Sequence, residues 1–203
     1  MGKNIEVRDY IKENLNNVAV VIFTTIMAGF LMNLFILLNI ILLTNNILVL
    51  VLNEISILLS LAIIPYIFFK RYIHTNLKFS ENKIKLTFVM LISILISLIF
   101  IDIETSIHFM IIAISEELLF REIYYQYLQE NTNLNSNKYK FLFVMLTTSL
   151  IFATILHIND NFFINILVRF PLGIFLFLIR DRFKLRSAVI FHWLYNILLT
   201  VVI

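Results

Sequence analysis

The chain contains no cysteine. No disulfide can staple it, and no thiolate can ligate a metal or attack a substrate. Three glycines and two prolines in 203 residues leave little to interrupt a helix, so long continuous helices are expected. Charge is equally sparse. Charged residues make up 14% of the chain, against about 25% in an ordinary soluble domain. The alternation of apolar and polar residues that a transmembrane β-barrel needs is also missing. What fills the chain is apolar side chain, 61% of all residues, with a mean hydropathy of +0.94. A water-soluble globule of this size could not bury that much and still cover its surface with polar groups. A soluble enzyme, a nucleic-acid-binding protein and a disordered chain are therefore excluded. The composition implies an all-α, polytopic integral membrane bundle, a single domain over 1–203.

Residues 14–53 hold no Asp, Glu, Lys, Arg or His, forty positions in all. A single span takes about 20, and Thr44-Asn45-Asn46 divides the run into a hairpin. About seven spans are read, over 18–43, 47–69, 86–101, 104–128, 141–157, 162–179 and 187–203. The N-terminal stretch Lys3–Glu13 mixes both charge signs and is not expected to be a cleaved signal. Lys and Arg collect in the N-terminus and in the loops at 70–85, 129–140 and 180–186; the alternate loops at 44–46, 102–104 and 158–161 have none. The positive-inside rule then expects a multi-pass protein of a bacterial plasma membrane with a cytoplasmic N-terminus. The abundance of Asn and Ile with few Gly and Ala suggests the AT-rich genome behind that bacterial reading.

Ionisable side chains inside a membrane are costly unless paired or facing a wet cavity, so they carry the information. Three clusters stand out. Glu116-Glu117-Leu118-Leu119-Phe120-Arg121 places Glu117 and Arg121 four apart on one helix face, where they can pair. Glu116 points about 100° away and needs a partner from another span or from water. His157 closes the apolar run Leu150–Leu156. His192 and Asn196, also four apart, share a face of the last span. If these spans pack together, a carboxylate and two imidazoles meet in an apolar surround. That set activates water as a general base, or holds a zinc ion with an open position for water. Either arrangement hydrolyses an amide bond, and Asn196 could orient a His or donate to the oxyanion. The remaining polar residues have blander readings. Asn33, Asn39, Asn53, Thr147, Thr148 and Ser149 are helix-packing contacts, Glu54 and His108 are interfacial, and Arg169 with Pro171 either lines a cavity or, the favoured reading, snorkels beside a kink.

The ordered set of EExxxR, a His at a helix end and HxxxN resembles the CPBP family of intramembrane proteases. These are the type II CAAX prenyl endopeptidases and their bacterial relatives linked to bacteriocin processing and self-immunity. The likeness covers about residues 104–200, the expected catalytic core. It implies that Glu116 activates water, that His157 and His192 assist as metal ligands or as water-positioning groups, and that Arg121 pairs with a carboxylate. Glu117 completes the first motif and Asn196 the third. The implied metal set is Glu116, His157 and His192 around Zn2+; a metal-free mechanism with glutamate-activated water is equally open. The family's second motif is FxxxH, whereas here Ala153 stands four before His157 and Phe152 five before it. On a regular helix that displaces the aromatic by about 100°; Phe120 or Phe162 is expected to fill the space.

The resemblance implies an intramembrane endopeptidase acting on a membrane-associated peptide or protein, in bacteriocin or pheromone processing or in self-immunity. The expected partners are membrane lipid and that substrate, with no nucleic acid. The alternative is a non-catalytic immunity or adaptor protein that binds a peptide; a small transporter subunit is disfavoured because no inverted repeat is visible. One geometric requirement follows. His192 lies about six residues, roughly 9 Å, beyond the 180–186 loop, and His157 about 17 residues, roughly 25 Å, beyond Lys140. The two can meet only if the 141–157 span starts well outside the bilayer, the spans tilt strongly, or the loop before the last span dips inward.

Overall fold

A computed structural model describes residues 2–73, 99–134, 136–158 and 161–202. These form six helices and no strand. Helix α1 is Gly2–Leu42 and α2 is Asn46–Phe69. Helix α3 covers 103–131, α4 is Asn137–Leu156, α5 is Phe162–Phe183 and α6 is Leu185–Val202. The expected span over 86–101 and the loop at 70–85 lie largely outside the described residues, and the other six expected spans each fall on one of these helices.

Local chemistry sets the helix starts. Asn45 accepts a hydrogen bond from the Leu48 amide and Asn161 one from the Phe163 amide. Asp102 accepts from both the amide and the hydroxyl of Thr105, at 2.8 Å each. Each thereby satisfies donors that the first helical turn leaves orphaned. The sharp α5–α6 turn runs through Lys184, whose φ of 73° is unusual for a residue other than glycine.

Four helices, α1, α2, α4 and α5, are long and apolar enough to cross a bilayer. Helix α6 is shorter but equally apolar, and α3 is interrupted by Glu116, Glu117, Arg121 and Glu122. The surface is covered with exposed apolar side chains such as Leu42, Ile47, Leu167 and Phe163, while Glu116, Glu117, Arg121, Glu122, Asn165 and His192 are buried. That inversion is what a lipid solvent selects: apolar groups outward, and polar groups satisfied inside.

The expectation of uninterrupted helices is corrected. Single π-helical turns break α2 at Leu59–Ile63, α3 at Leu118–Ile123, α4 at Phe152–Leu156 and α5 at Asn165–Arg169. Low glycine and proline content removes the usual causes of a kink, but not the insertion of one residue into the helical ladder.

Helix α3 is the central element. Near its C-terminal end, Tyr124 is fully buried and accepts hydrogen bonds from Thr24 and Thr25 of α1. Tyr127 donates to Asn17, and Phe69 of α2 packs against both tyrosine rings. Toward the other end, the Trp193 indole donates to the Ser106 carbonyl and ties α6 to α3. Glu54 and His108, read from sequence as separate interfacial residues, instead meet at 2.7 Å between α2 and α3. Asn39 donates to Asn53 and Ser56 across the α1–α2 pair, as a packing role requires; Asn33 donates to the Gly29 carbonyl of its own helix.

Candidate active site

The site is built outward from α3. Glu117 is fully buried, and its two oxygens serve two partners. One lies 3.3 Å from Arg121 Nε, the intrahelical pair expected from the i, i+4 spacing. The other lies 2.8 Å from His192 Nδ1 of α6. Arg121 is itself buried, with its guanidinium 4.5 Å from the centre of the Phe152 ring and Nη2 donating to the Gly173 carbonyl at 3.3 Å. Helices α3, α4, α5 and α6 are thus gathered around one ion pair.

Glu116 finds its partner on another helix, as its isolated face requires. Its Oε2 stands 3.5 Å from His192 Nε2, close enough for charge attraction, yet it makes no hydrogen bond with protein. Both nitrogens of His192 therefore face carboxylates. The shorter contact, to Glu117, fixes the ring, because a carboxylate can only accept and so Nδ1 carries a proton.

Phe152 is the hub between α4 and the rest. The rings of His157 and His192 both meet it edge-on, at 5.4 and 5.8 Å between centroids, and Phe120 does the same at 5.4 Å. Phe152 occupies the space left open by the displaced motif; Phe162 is exposed and packs on Phe163. The π-turn at Phe152–Leu156 explains how. It inserts one residue into the helical ladder, so positions five apart acquire roughly the register that positions four apart have in an α-helix. The aromatic and His157 consequently share a face.

Helices α4 and α5 approach most closely at Gly173. Ser149 approaches it so closely that a Cβ there would sit 3.1 Å from the serine Cβ and 3.2 Å from its Cα. Phe141, eight residues earlier on α4, meets Phe177, only four residues later on α5. Helices α4 and α5 thus pack together over two turns or more, and the far end of α4 reaches His192, seven residues into α6, through Phe152.

These groups line a cavity of about 320 Å3. Glu116, Phe109 and Ile112 come from α3, Phe152 and His157 from the end of α4, and Arg169 and Leu172 from α5. His192, Tyr195, Asn196, Leu199 and Thr200 form one stripe of α6. Arg169 faces this cavity, not lipid, which corrects the snorkelling expectation. Its Nη1 donates to Asn165 at 2.5 Å, so the π-turn of α5 directs it inward. Tyr195 and Phe152 line the cavity without having been expected there, and Asn165, outside its lining, bonds to His157 and Arg169. An exposed apolar neighbourhood around a lone buried Asn was the available signal for Asn165.

Outside the cavity, toward the C-terminal end of α3, Glu122 is buried and takes Arg180 of α5 at 2.8 Å and Gln126 at 2.6 Å. This second ion pair braces α3 against α5 and is not part of the cavity.

Among the described residues, no three His, Cys, Asp or Glu side chains are gathered as a metal ion requires. Glu116 and His192 are adjacent, but the expected triad of Glu116, His157 and His192 is not assembled at ligating distances.

Fold and site together define a helical membrane protein with a hydrolase-like carboxylate–imidazole centre. The family model "Type II CAAX prenyl endopeptidase Rce1-like" matches residues 103–198, so this stretch is similar to the CAAX-type proteases. It is a little under half of the chain and contains Glu116, Glu117, Arg121, His157, His192 and Asn196. No curated protein and no solved structure matches the chain.

Proposed function

We propose that the protein is an intramembrane endopeptidase in which Glu116 activates water against a peptide bond of a membrane-associated substrate. One observation carries the reading: Glu116 lines a cavity beside a histidine held from behind, and its Oε2 has no hydrogen-bond donor among the described residues. A water in that cavity donates to the Glu116 carboxylate and passes it a proton while its oxygen adds to the carbonyl carbon. His192 stands beside the same oxygen, oriented by Glu117, which Arg121 holds in turn. Asn196, one turn along α6, supplies a donor for the developing oxyanion. Glu116 then returns the proton to the leaving amine, as microscopic reversibility allows. No step draws on zinc, because the third donor does not gather with the other two.

The substrate we infer is a peptide or protein presented within the bilayer, in bacterial peptide maturation or self-immunity. The apolar cavity walls, Phe109, Ile112, Leu172 and Leu199, suit such a substrate better than a soluble one. The basic loops put the N-terminus and the α5–α6 turn on the cytoplasmic face of a plasma membrane. The test is cleavage of candidate precursor peptides by protein reconstituted in liposomes, with Glu116→Gln and His192→Ala as comparisons. Cleavage is expected to fall by at least about a hundredfold in both and to survive a chelator. Loss on chelation would replace glutamate activation with metal chemistry. Equal biological function of wild type and Glu116→Gln in cells would replace the peptidase with a peptide-binding adaptor.

A further inference from the structure

His157 stands where α4 ends. Its backbone, at φ −105° and ψ 36°, has left the helical region. Carbonyls at a helix end lack intrahelical donors and need others. The donor here is Asn165, eight residues on in α5, whose Nδ2 gives a 2.8 Å hydrogen bond to the His157 carbonyl. Its Oδ1 accepts from Arg169 Nη1. The side chain cannot be reversed, because the carbonyl can only accept and the guanidinium can only donate.

Asn165 is 2% exposed, while its neighbours Phe162, Phe163, Ile164, Leu167 and Val168 face outward. It is the inward-facing position of a turn otherwise given to lipid. A buried amide with both ends committed is costly to disturb. Its two partners are the residue ending α4 and a cation lining the cavity.

We propose that Asn165 is a positioning residue for the active site, fixing the turn that aims His157 into the cavity and directing Arg169 to its wall. This deepens the peptidase reading and rests on it. Asn165 touches no reacting atom in this assignment. It acts through His157, whose ring it holds against Phe152, and through the placement of Arg169.

Asn165→Asp is the discriminating substitution. It keeps size and shape and retains an acceptor for Arg169, but sets an oxygen against the His157 carbonyl. The full chain in liposomes would be assayed for peptide cleavage with Asn165→Asp, His157→Ala and the double variant. Asn165→Asp is expected to lower kcat by about tenfold to a hundredfold with KM little changed, the scale of an ångström-sized misplacement of a catalytic group. Added to His157→Ala, it should cost little more, since the residue it acts through is gone. Histidine modification by diethyl pyrocarbonate, read by mass spectrometry, should change at His157 and not at His108. Wild-type kcat in Asn165→Asp, a loss that adds in full to that of His157→Ala, or unchanged modification at His157 would each overturn the assignment. If wild type and Glu116→Gln both cleave nothing, the peptidase reading fails, and the modification pattern still decides the role of Asn165.

Discussion

Replacing Arg121 by Met tests the ionic centre directly. Arg121 is 1% exposed and Glu117 fully buried, so removing the cation strands a carboxylate with only His192 beside it. Methionine preserves most of the volume and the packing on Phe152, which leaves electrostatics as the main change. The substitution removes the 3.3 Å pair to Glu117, the 3.3 Å bond to the Gly173 carbonyl and the guanidinium face on Phe152 at 4.5 Å. Breaking one side of a buried pair costs about 3–5 kcal/mol, most of it from the uncompensated partner. The double variant Glu117→Gln with Arg121→Met carries no stranded charge, and the glutamine carbonyl can still accept from His192. It should recover to within about 1–2 kcal/mol of wild type. Equilibrium unfolding in mixed micelles suits the measurement, because the single tryptophan, Trp193, is buried and bonded across α3 and α6. An Arg121→Met protein within about 1 kcal/mol of wild type, or a double variant as unstable as the single one, would refute the account.

Three further outcomes are expected. Gly173→Ala should destabilise by about 1–3 kcal/mol in the same unfolding assay, because the new methyl meets Ser149 backbone as well as side chain; a neutral result would mean that α4 and α5 separate easily. Deleting Thr154 restores the four-residue spacing between Phe152 and His157 and should convert the π-turn to α-helix with folding and cleavage retained, whereas deleting Leu146 from the regular part of α4 turns all that follows by about 100° and should abolish both. Equal damage from the two deletions would sink the register argument. Asp102 sits outside the membrane-spanning segments, and its hydrogen bonds from Thr105 hold its carboxyl below the usual value. A folded-state pKa below the unfolded one contributes stability at neutral pH and loses it as pH falls from about 3.8 through the folded value. The stability gap between wild type and Asp102→Ala should therefore shrink in that acidic window; a gap independent of pH would contradict the capping role.

The lipid solvent, the helical class and the pairing of Glu117 with Arg121 were legible because each depends on composition or on spacing within one helix. Glu116 was legible in half: its isolation on its own face called for a partner from elsewhere, but only packing could nominate His192. Arg169 was read with both of its outlets, lipid headgroup and cavity, but the less favoured one holds, because next to a proline sequence alone does not decide between them. Glu54 and His108 went unpaired for a similar reason, being 54 positions apart with no periodicity to join them.

The misread spacing of Phe152 and His157 has the most general cause. Helical-wheel reasoning assumes one rotation per residue throughout, and a single π-turn breaks that assumption for everything beyond it. In this chain three π-turns lie beside the site: after Glu116 and Glu117, before His157, and from Asn165 to Arg169. Each re-aims a polar side chain by a fraction of a turn without the exposed backbone of a glycine or proline break, which would be hard to satisfy in lipid. With only three glycines and two prolines available, inserted residues are the means by which these apolar helices turn their few charges toward one another. Helix α6, which carries His192, Tyr195 and Asn196 on one uninterrupted stripe, needs no such insertion and has none. It follows that a variant made regular at Leu118–Ile123 by deleting one residue should keep Glu116 on its face, since Glu116 precedes the turn, but rotate Arg121 off Phe152 and Glu122 off Arg180. The peptidase reading then expects such a protein to lose stability before it loses the geometry around Glu116.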